Sequence, residues 1–319
     1  MTVVVMTLVV RDEADIVDAQ IAYHLNAGVD FVIASDHESQ DGTTEILESY
    51  ARDGHLLRIP VQGEVRESAW RTHMARLAVA EHGADWVISS DADEFWWPRG
   101  ESLKDVLAVI PARYAVVQAL VRSFGPRPDD GGFFADRRTA RTSLLVSGEG
   151  TTEPLSRALR PVYRAEPEMV IEPGDPTHGG RRVPLRAWYP IEVFHFPART
   201  ADGSAGVVDD AQLDGLLADG SLVVDTRLRD ALRSLRDAAG EGSARRFALP
   251  ADGASRLSFP VPSVVDDASY AVECAAVGEV DLVRLDRHIR ELEQRISLLE
   301  ARFWPRVVRR LARLGRRRR

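Results

Sequence analysis

Cysteine is almost missing from this chain. Cys274 stands alone among 319 residues, which excludes an internal disulfide framework, and no Cys/His spacing suggests a zinc site. Lysine is nearly absent as well: Lys104 is the single one, and arginine carries the rest of the positive charge. Such one-sided usage is compositional bias, so an isolated surface arginine says little about function. No uninterrupted apolar run reaches the roughly 18 to 20 residues of a membrane-spanning helix. The opening MTVVVMTLVV is apolar but lacks a basic leader and a small-residue cleavage site, and it runs directly into Arg11, Asp12 and Glu13. It is expected to be a buried strand rather than a signal peptide. The expected location is cytoplasmic, with attachment to the inner face of the plasma membrane as the alternative.

What charge there is lies unevenly. The net charge is −8, yet the stretch from Ala301 to Arg319 holds nine arginines and no acidic residue. The body is correspondingly acidic, which disfavours nucleic acid as a partner and singles out the tail as the anion-seeking element.

Along the first 125 residues, apolar strand-like runs alternate with helical periodicity, the pattern of a mostly parallel sheet flanked by helices. Strands are expected at Val3 to Val10, Val29 to Ser35, His55 to Val61, Trp86 to Ser90 and Tyr114 to Phe124. Helices are expected from Asp15, as N-cap, to Gly28, over Thr43 to Arg52, over Glu67 to His82, and after the capping-box pair Ser102 and Asp105. Gly125 to Pro154 reads as a long loop. Leu159 to Arg164 and Ile191 to Phe196 read as later strands, and Asp209 to Ala239 as helix with a break at Asp219-Gly220.

From Leu282 the residues Leu285, Ile289, Leu292, Ile296, Leu299 and Phe303 continue an a/d heptad seam. This is either a coiled coil between two copies or a helix packed on its own domain. Beyond Pro305, Val307, Val308, Leu311 and Leu314 sit among arginines, either as a basic amphipathic helix on anionic lipid or as a solvated tail. The domain reading is 1–200 for the principal domain (1–125 and 126–200 as its halves), 201–280 for an accessory helical and β region, and 281–319 for the heptad helix and basic tail.

The central signal is DADEFWWP, Asp91 to Pro98, directly after a buried strand. Two carboxylates one residue apart at a strand end can face the same crevice, where a divalent ion and phosphate oxygens offset their repulsion. Open α/β sheets bind ligands at that edge. Taken with RDEADIVDAQIAYHLNAGVDFVIASDHESQDGTTEIL and GADWVISSDADEF, the segment from Val3 to Pro98 resembles glycosyltransferase family 2 and its relatives. A weaker echo covers Arg160 to Thr200, in PVYR, GDPTHGG and IEVFHFPART.

The resemblance implies a GT-A-type nucleotide-sugar-binding α/β domain, with a helical or coiled-coil extension at the carboxyl end. It implies that Arg11, Glu13 and Asp36 border the nucleotide, with Arg76 and Arg199 as further contacts. Asp91 then approaches the ribose or a metal, while Asp93 and His195 ligate Mn²⁺ or Mg²⁺, with Glu94 in support. The base that takes the acceptor proton lies in IEPGDPTHGG, with Asp175 preferred over His178. The implied activity is inverting transfer of a sugar from a nucleoside diphosphate sugar to a hydroxyl of a glycan or lipid-linked acceptor. A nucleotidyltransferase is the second reading, although RDEADI stands where its Gly-rich phosphate loop is expected. The third is a non-catalytic sugar-nucleotide-binding scaffold at a membrane surface.

Overall fold

The structure, a computed structural model, describes residues 2–64, 66–112, 114–125, 133–142, 159–171, 183–185, 190–197, 210–219, 222–239 and 257–259. Its amino-terminal half alternates β1 (Val4–Val10), α1 (Val17–Asn26), β2 (Phe31–His37), α2 (Thr43–Arg52), β3 (Leu56–Val61), α3 (Glu67–His82) and β4 (Trp86–Asp91). Strand β1 shows why the run is continuously apolar. Val4, Met6, Leu8 and Val10 enter one core with α1 and α2, while Val5 enters the other with Met74, Ala75 and Ala78 of α3. A strand buried on both faces needs apolar residues in both phases of its period.

The chain continues through β5 (Glu94–Pro98), α4 (Leu103–Ala108), β6 (Tyr114–Ser123), α5 (Phe134–Arg137), β7 (Ala140–Thr142), β8 (Leu159–Arg164), β9 (Val183–Leu185), β10 (Ile191–His195), α6 (Asp210–Ala218), β11 (Leu222–Val224) and α7 (Arg227–Ala239). The main sheet runs β3-β2-β1-β4-β8-β6-β10-β5, with β9 beside β6, and β7 pairs with β11 separately. Strand β8 runs against β4 and β6, and β5 runs against β10, while the remaining neighbours are parallel. The sheet is therefore mostly parallel, with two reversed strands.

Chain length shows that this sheet curls. Asp91 ends β4 and Glu94 begins β5, with Ala92 and Asp93 between them, so three Cα steps span at most about 11 Å. In a flat sheet the four lateral steps from β4 to β5 would need about 19 Å. The strands β4, β8, β6, β10 and β5 must therefore wrap toward a ring, and the acidic motif crosses the seam where the ring closes.

Helix ends follow from particular residues. The Oγ of Ser102 accepts from the Asp105 N–H at 3.1 Å and donates to the Asp105 carboxylate at 2.5 Å, so Ser102 is the N-cap of α4 and Asp105 the partner expected for it, through the hydroxyl and not the backbone N–H of a full capping box. Gly28 has φ of 106°, and a Cβ there would lie 3.1 Å from that of Ser102, so conformation and space both require glycine. Helix α1 departs from expectation: its N-cap is Ile16, without a side-chain cap, and not Asp15. The break after α6 holds strand β11, whose pairing with β7 interrupts the helical stretch.

A buried ionic cluster joins the later elements to the sheet. Glu192 of β10 accepts from Arg122 at 2.8 Å, Arg99 at 3.2 Å and Arg227 at 2.8 Å, while Asp225 accepts from Arg141 at 2.9 Å and Arg227 at 2.6 Å. Burial alone would push the Glu192 carboxyl up, but the charges of Arg227, Arg99, Arg122 and Arg141 hold it well below its ordinary range. No helix among the described residues is long and apolar enough to cross a membrane.

Candidate active site

The carboxyl ends of β1, β2, β4, β6 and β10 meet the start of β5 at one edge of the sheet. This follows from register: His195 pairs with Glu94 across β10 and β5, and with Ser123 across β10 and β6. Asp91, Asp93, Glu94, Ser123 and His195, spread over more than 100 residues of sequence, thereby become neighbours.

The acidic motif is held from both sides. Inside, the Trp96 N–H donates to His24 Nε2 at 3.0 Å, and the Trp96 indole N–H donates to Ser90 Oγ at 2.9 Å. His24 Nδ1 lies 2.8 Å from the Gln20 carbonyl, so the ring is neutral with its proton on Nδ1. Burial lowers its pKa to about 3. At the edge, Asp93 Oδ2 faces His195 Nε2 at 3.4 Å, and His195 Nδ1 faces Ser123 Oγ at 3.4 Å. Burial pushes the His195 imidazole down, but the hydrogen bond and charge of Asp93, with Glu94 beyond it, outweigh this and hold it above its ordinary value.

Glu94 is 1% exposed and accepts from Arg160 of β8 at 2.7 Å. Burial and the neighbouring Asp91 charge raise its pKa against the opposing pull of Arg160. The Asp91 side chain is 49% exposed, and its Oδ1 takes a charge-assisted hydrogen bond from Arg71 of α3. Arg71 also donates to Ser89 Oγ at 3.0 Å and to the Ser90 carbonyl at 3.3 Å.

Arg71 was not among the residues singled out from sequence. Arg76 lies on the same helix five residues further on, about 7.5 Å along its axis, and donates to the Met169 carbonyl at 3.1 Å. Helix α3 begins at the carboxyl edge of the sheet and runs away from it, so its first turns reach the motif and its middle does not. The only local signal for Arg71 was its place in the second turn of the helix, and chain-wide arginine bias hid it.

The expected nucleotide-bordering residues lie on two loops stitched together. Asp12 N–H donates to Ser39 Oγ at 3.1 Å, Gln40 N–H to Asp12 at 2.7 Å, Glu13 N–H to Thr43 Oγ1 at 2.8 Å and Ala14 N–H to Asp41 at 3.0 Å. Arg11 is exposed and lies 3.8 Å from Asp12. Asp36 is 1% exposed and accepts from Thr44 at 2.6 Å, Arg58 at 2.8 Å and the Ser39 N–H at 3.3 Å. Burial would raise its pKa, but these bonds outweigh it and lower it. In this arrangement Asp36 organises the loop after β2 and is sealed from the crevice. Asp12 and Glu38 both have positive φ, 53° and 54°, so strained backbone follows two adjacent strands.

Asp175, His178 and Arg199 lie outside the described residues, as do the heptad seam and the basic tail. For a metal, the donor types suit Mn²⁺ or Mg²⁺. Their spacing does not: Asp93 and His195 face each other, Asp91 is bound to Arg71, and among the described residues no group of three or more His, Cys, Asp or Glu side chains is arranged to hold an ion. No chemical step is therefore derived through a metal.

No curated protein matches the chain. Among solved structures, it is similar to TarS of S. aureus in complex with UDP, with 15% identity, 60% of each chain covered and a TM-score of 0.35. TarS in complex with UDP-GlcNAc gives 15% identity, coverage of 72% of this chain and 70% of that one, and a TM-score of 0.38. Glucosyl-3-phosphoglycerate synthase from Mycobacterium tuberculosis, in complex with Mg²⁺ and UDP, gives 17% identity, coverage of 38% and 44%, and a TM-score of 0.26. The matched part thus spans 60% of the first of these solved chains. Residues 1–121 match the model of glycosyltransferase family 92, and over that part the chain is similar to this family.

Proposed function

We propose that the protein transfers a sugar from a nucleoside diphosphate sugar to an acceptor hydroxyl, with inversion, in the crevice at the carboxyl edge of the sheet. The carrying observation is the convergence of Asp91, Asp93, Glu94 and His195 at that edge, with the three carboxylates inside the segment that matches a glycosyltransferase family. The acidic body of the chain disfavours nucleic acid as the partner.

In this reading Arg11, Glu13 and Asp91 frame the donor, Asp36 holds the loop beside them in shape from within, and Arg199 meets the diphosphate. The half-exposed Asp91 carboxylate accepts from a donor hydroxyl. The base is Asp175, with His178 as its rival, and takes the acceptor proton as the sugar carbon changes partners. Dependence on Mn²⁺ or Mg²⁺ belongs to the proposal through the donor chemistry of Asp93 and His195. An acceptor at a membrane surface would suit the basic tail, and self-association the heptad seam.

The test is a panel of nucleoside diphosphate sugars, each assayed for diphosphate release and transfer with manganese and with chelator. Turnover of at least one donor is expected. Failure of every donor to bind or turn over, by a protein that unfolds cooperatively, would overturn the reading.

A further inference from the structure

Asp91, a carboxylate expected at the ribose or a metal, already has a protein counter-charge in Arg71. The Arg71 side chain is 13% exposed, against 49% for Asp91. One guanidinium nitrogen donates to Ser89 Oγ and the Ser90 carbonyl, and the other to Asp91 Oδ1, with Glu67 at 3.8 Å one helical turn back. A planar fork held by three acceptors on consecutive residues has little freedom to leave. The bond to Oδ1 fixes the Asp91 carboxylate and leaves Oδ2 with no partner among the described residues. A divalent ion approaching that carboxylate would meet a guanidinium at close range in a partly buried setting, where like charges repel more strongly than in water. Asp93 faces His195 at 3.4 Å.

We propose that Arg71, and not a divalent cation, is the resident counter-charge of Asp91, and that it acts as a positioning residue presenting Oδ2 of Asp91 to a donor hydroxyl. The proposal rests on the reading of this edge as a nucleoside diphosphate sugar site. In that role Asp91 is a contact for the donor and not a metal ligand. Of the two roles that the resemblance leaves open for Asp91, at the ribose or at a metal, the proposal takes the first.

Two measurements on the full chain test it. First, thermal midpoints of the ligand-free protein are taken for Arg71→Gln, Asp91→Asn and the double variant. Each single change is expected to lower the midpoint by about 2 °C, and the double variant to fall no further than the lower single. Second, Mn²⁺ binding is followed by electron paramagnetic resonance with UDP present, and UDP binding by calorimetry in chelator.

Asp91→Asn should leave Mn²⁺ affinity close to that of the wild type, whereas Asp93→Asn should lose about tenfold or more. Arg71→Gln should weaken UDP binding in chelator, an effect that a merely structural strut would not produce. Additive midpoints overturn the proposal. So does a loss of Mn²⁺ affinity in Asp91→Asn equal to that in Asp93→Asn, or a gain of about tenfold in Arg71→Gln, which would show the guanidinium to be filling a metal position. If the wild type binds neither UDP nor Mn²⁺, the proposed function fails, and the midpoint cycle still decides the role of Arg71.

Discussion

His24 and His195 both touch the segment from Asp93 to Trp96, and their surroundings drive them in opposite directions. His24, with a folded pKa of about 3, takes up its proton far more readily unfolded than folded. Stability should therefore fall as pH drops below about 6.5, by up to about 1.4 kcal/mol per pH unit until the folded value is reached. Replacing His24 with Gln should flatten that slope in denaturant unfolding between pH 6 and 4, whatever it costs at pH 7. His195 has the opposite sign. Its raised pKa makes the Asp93 pairing fully stabilising below the unfolded pKa and progressively lost as pH rises through the folded value. The midpoint difference between wild type and Asp93→Asn should thus be largest below about pH 6.5 and shrink as pH rises past the raised folded value. A difference that grows with pH would show that Asp93 is stabilised by something other than His195.

At the scale of elements, Glu192 is the member of the buried cluster whose loss is most costly. Glu192→Gln removes the charge facing Arg99, Arg122 and Arg227, and a buried ion pair broken on one side costs about 3 to 5 kcal/mol. Urea unfolding should show that loss, whereas Ser102→Ala, which removes only a helix cap, should cost about 1 kcal/mol. Both positions touch elements that local periodicity had revealed. Strands β1, β2, β4 and β8 and helices α2 and α3 were legible because apolar spacing and terminal glycines mark them residue by residue. Strand β5 was not. Its Phe95, Trp96 and Trp97 stood as neighbours of a motif, since nothing local says that they pair with β10 nearly 100 residues later. The same limit explains the site: the acidic motif and His195 were visible as types, but Arg71 over Arg76 depended on which turn of α3 meets the sheet edge. Arg160 depended on β8 lying between β4 and β6.

For the whole molecule, the heptads and basic tail stand apart from the catalytic reading. If the seam from Leu282 to Phe303 pairs two copies, it sets two arginine-rich ends side by side, and each basic residue near an anionic surface contributes about 1 kcal/mol at best. Removing Leu282 to Arg319 should leave nucleotide binding intact and give a monomer that no longer sediments with anionic vesicles. A full-length monomer in light scattering, or vesicle binding by the truncated form, would show that reading of the tail to be wrong. The closure of the sheet at Asp91 to Glu94 has a consequence in time. Glu94 to Pro98 leaves the ribosome nearly 100 residues before Ile191 to His195, and at about 5 to 20 residues per second that interval is about 5 to 20 s. Throughout it, the strand carrying Phe95, Trp96 and Trp97 lacks its hydrogen-bonding neighbour, so the segment on which the proposed chemistry depends is also an unpaired apolar edge open to aggregation while the chain is being made.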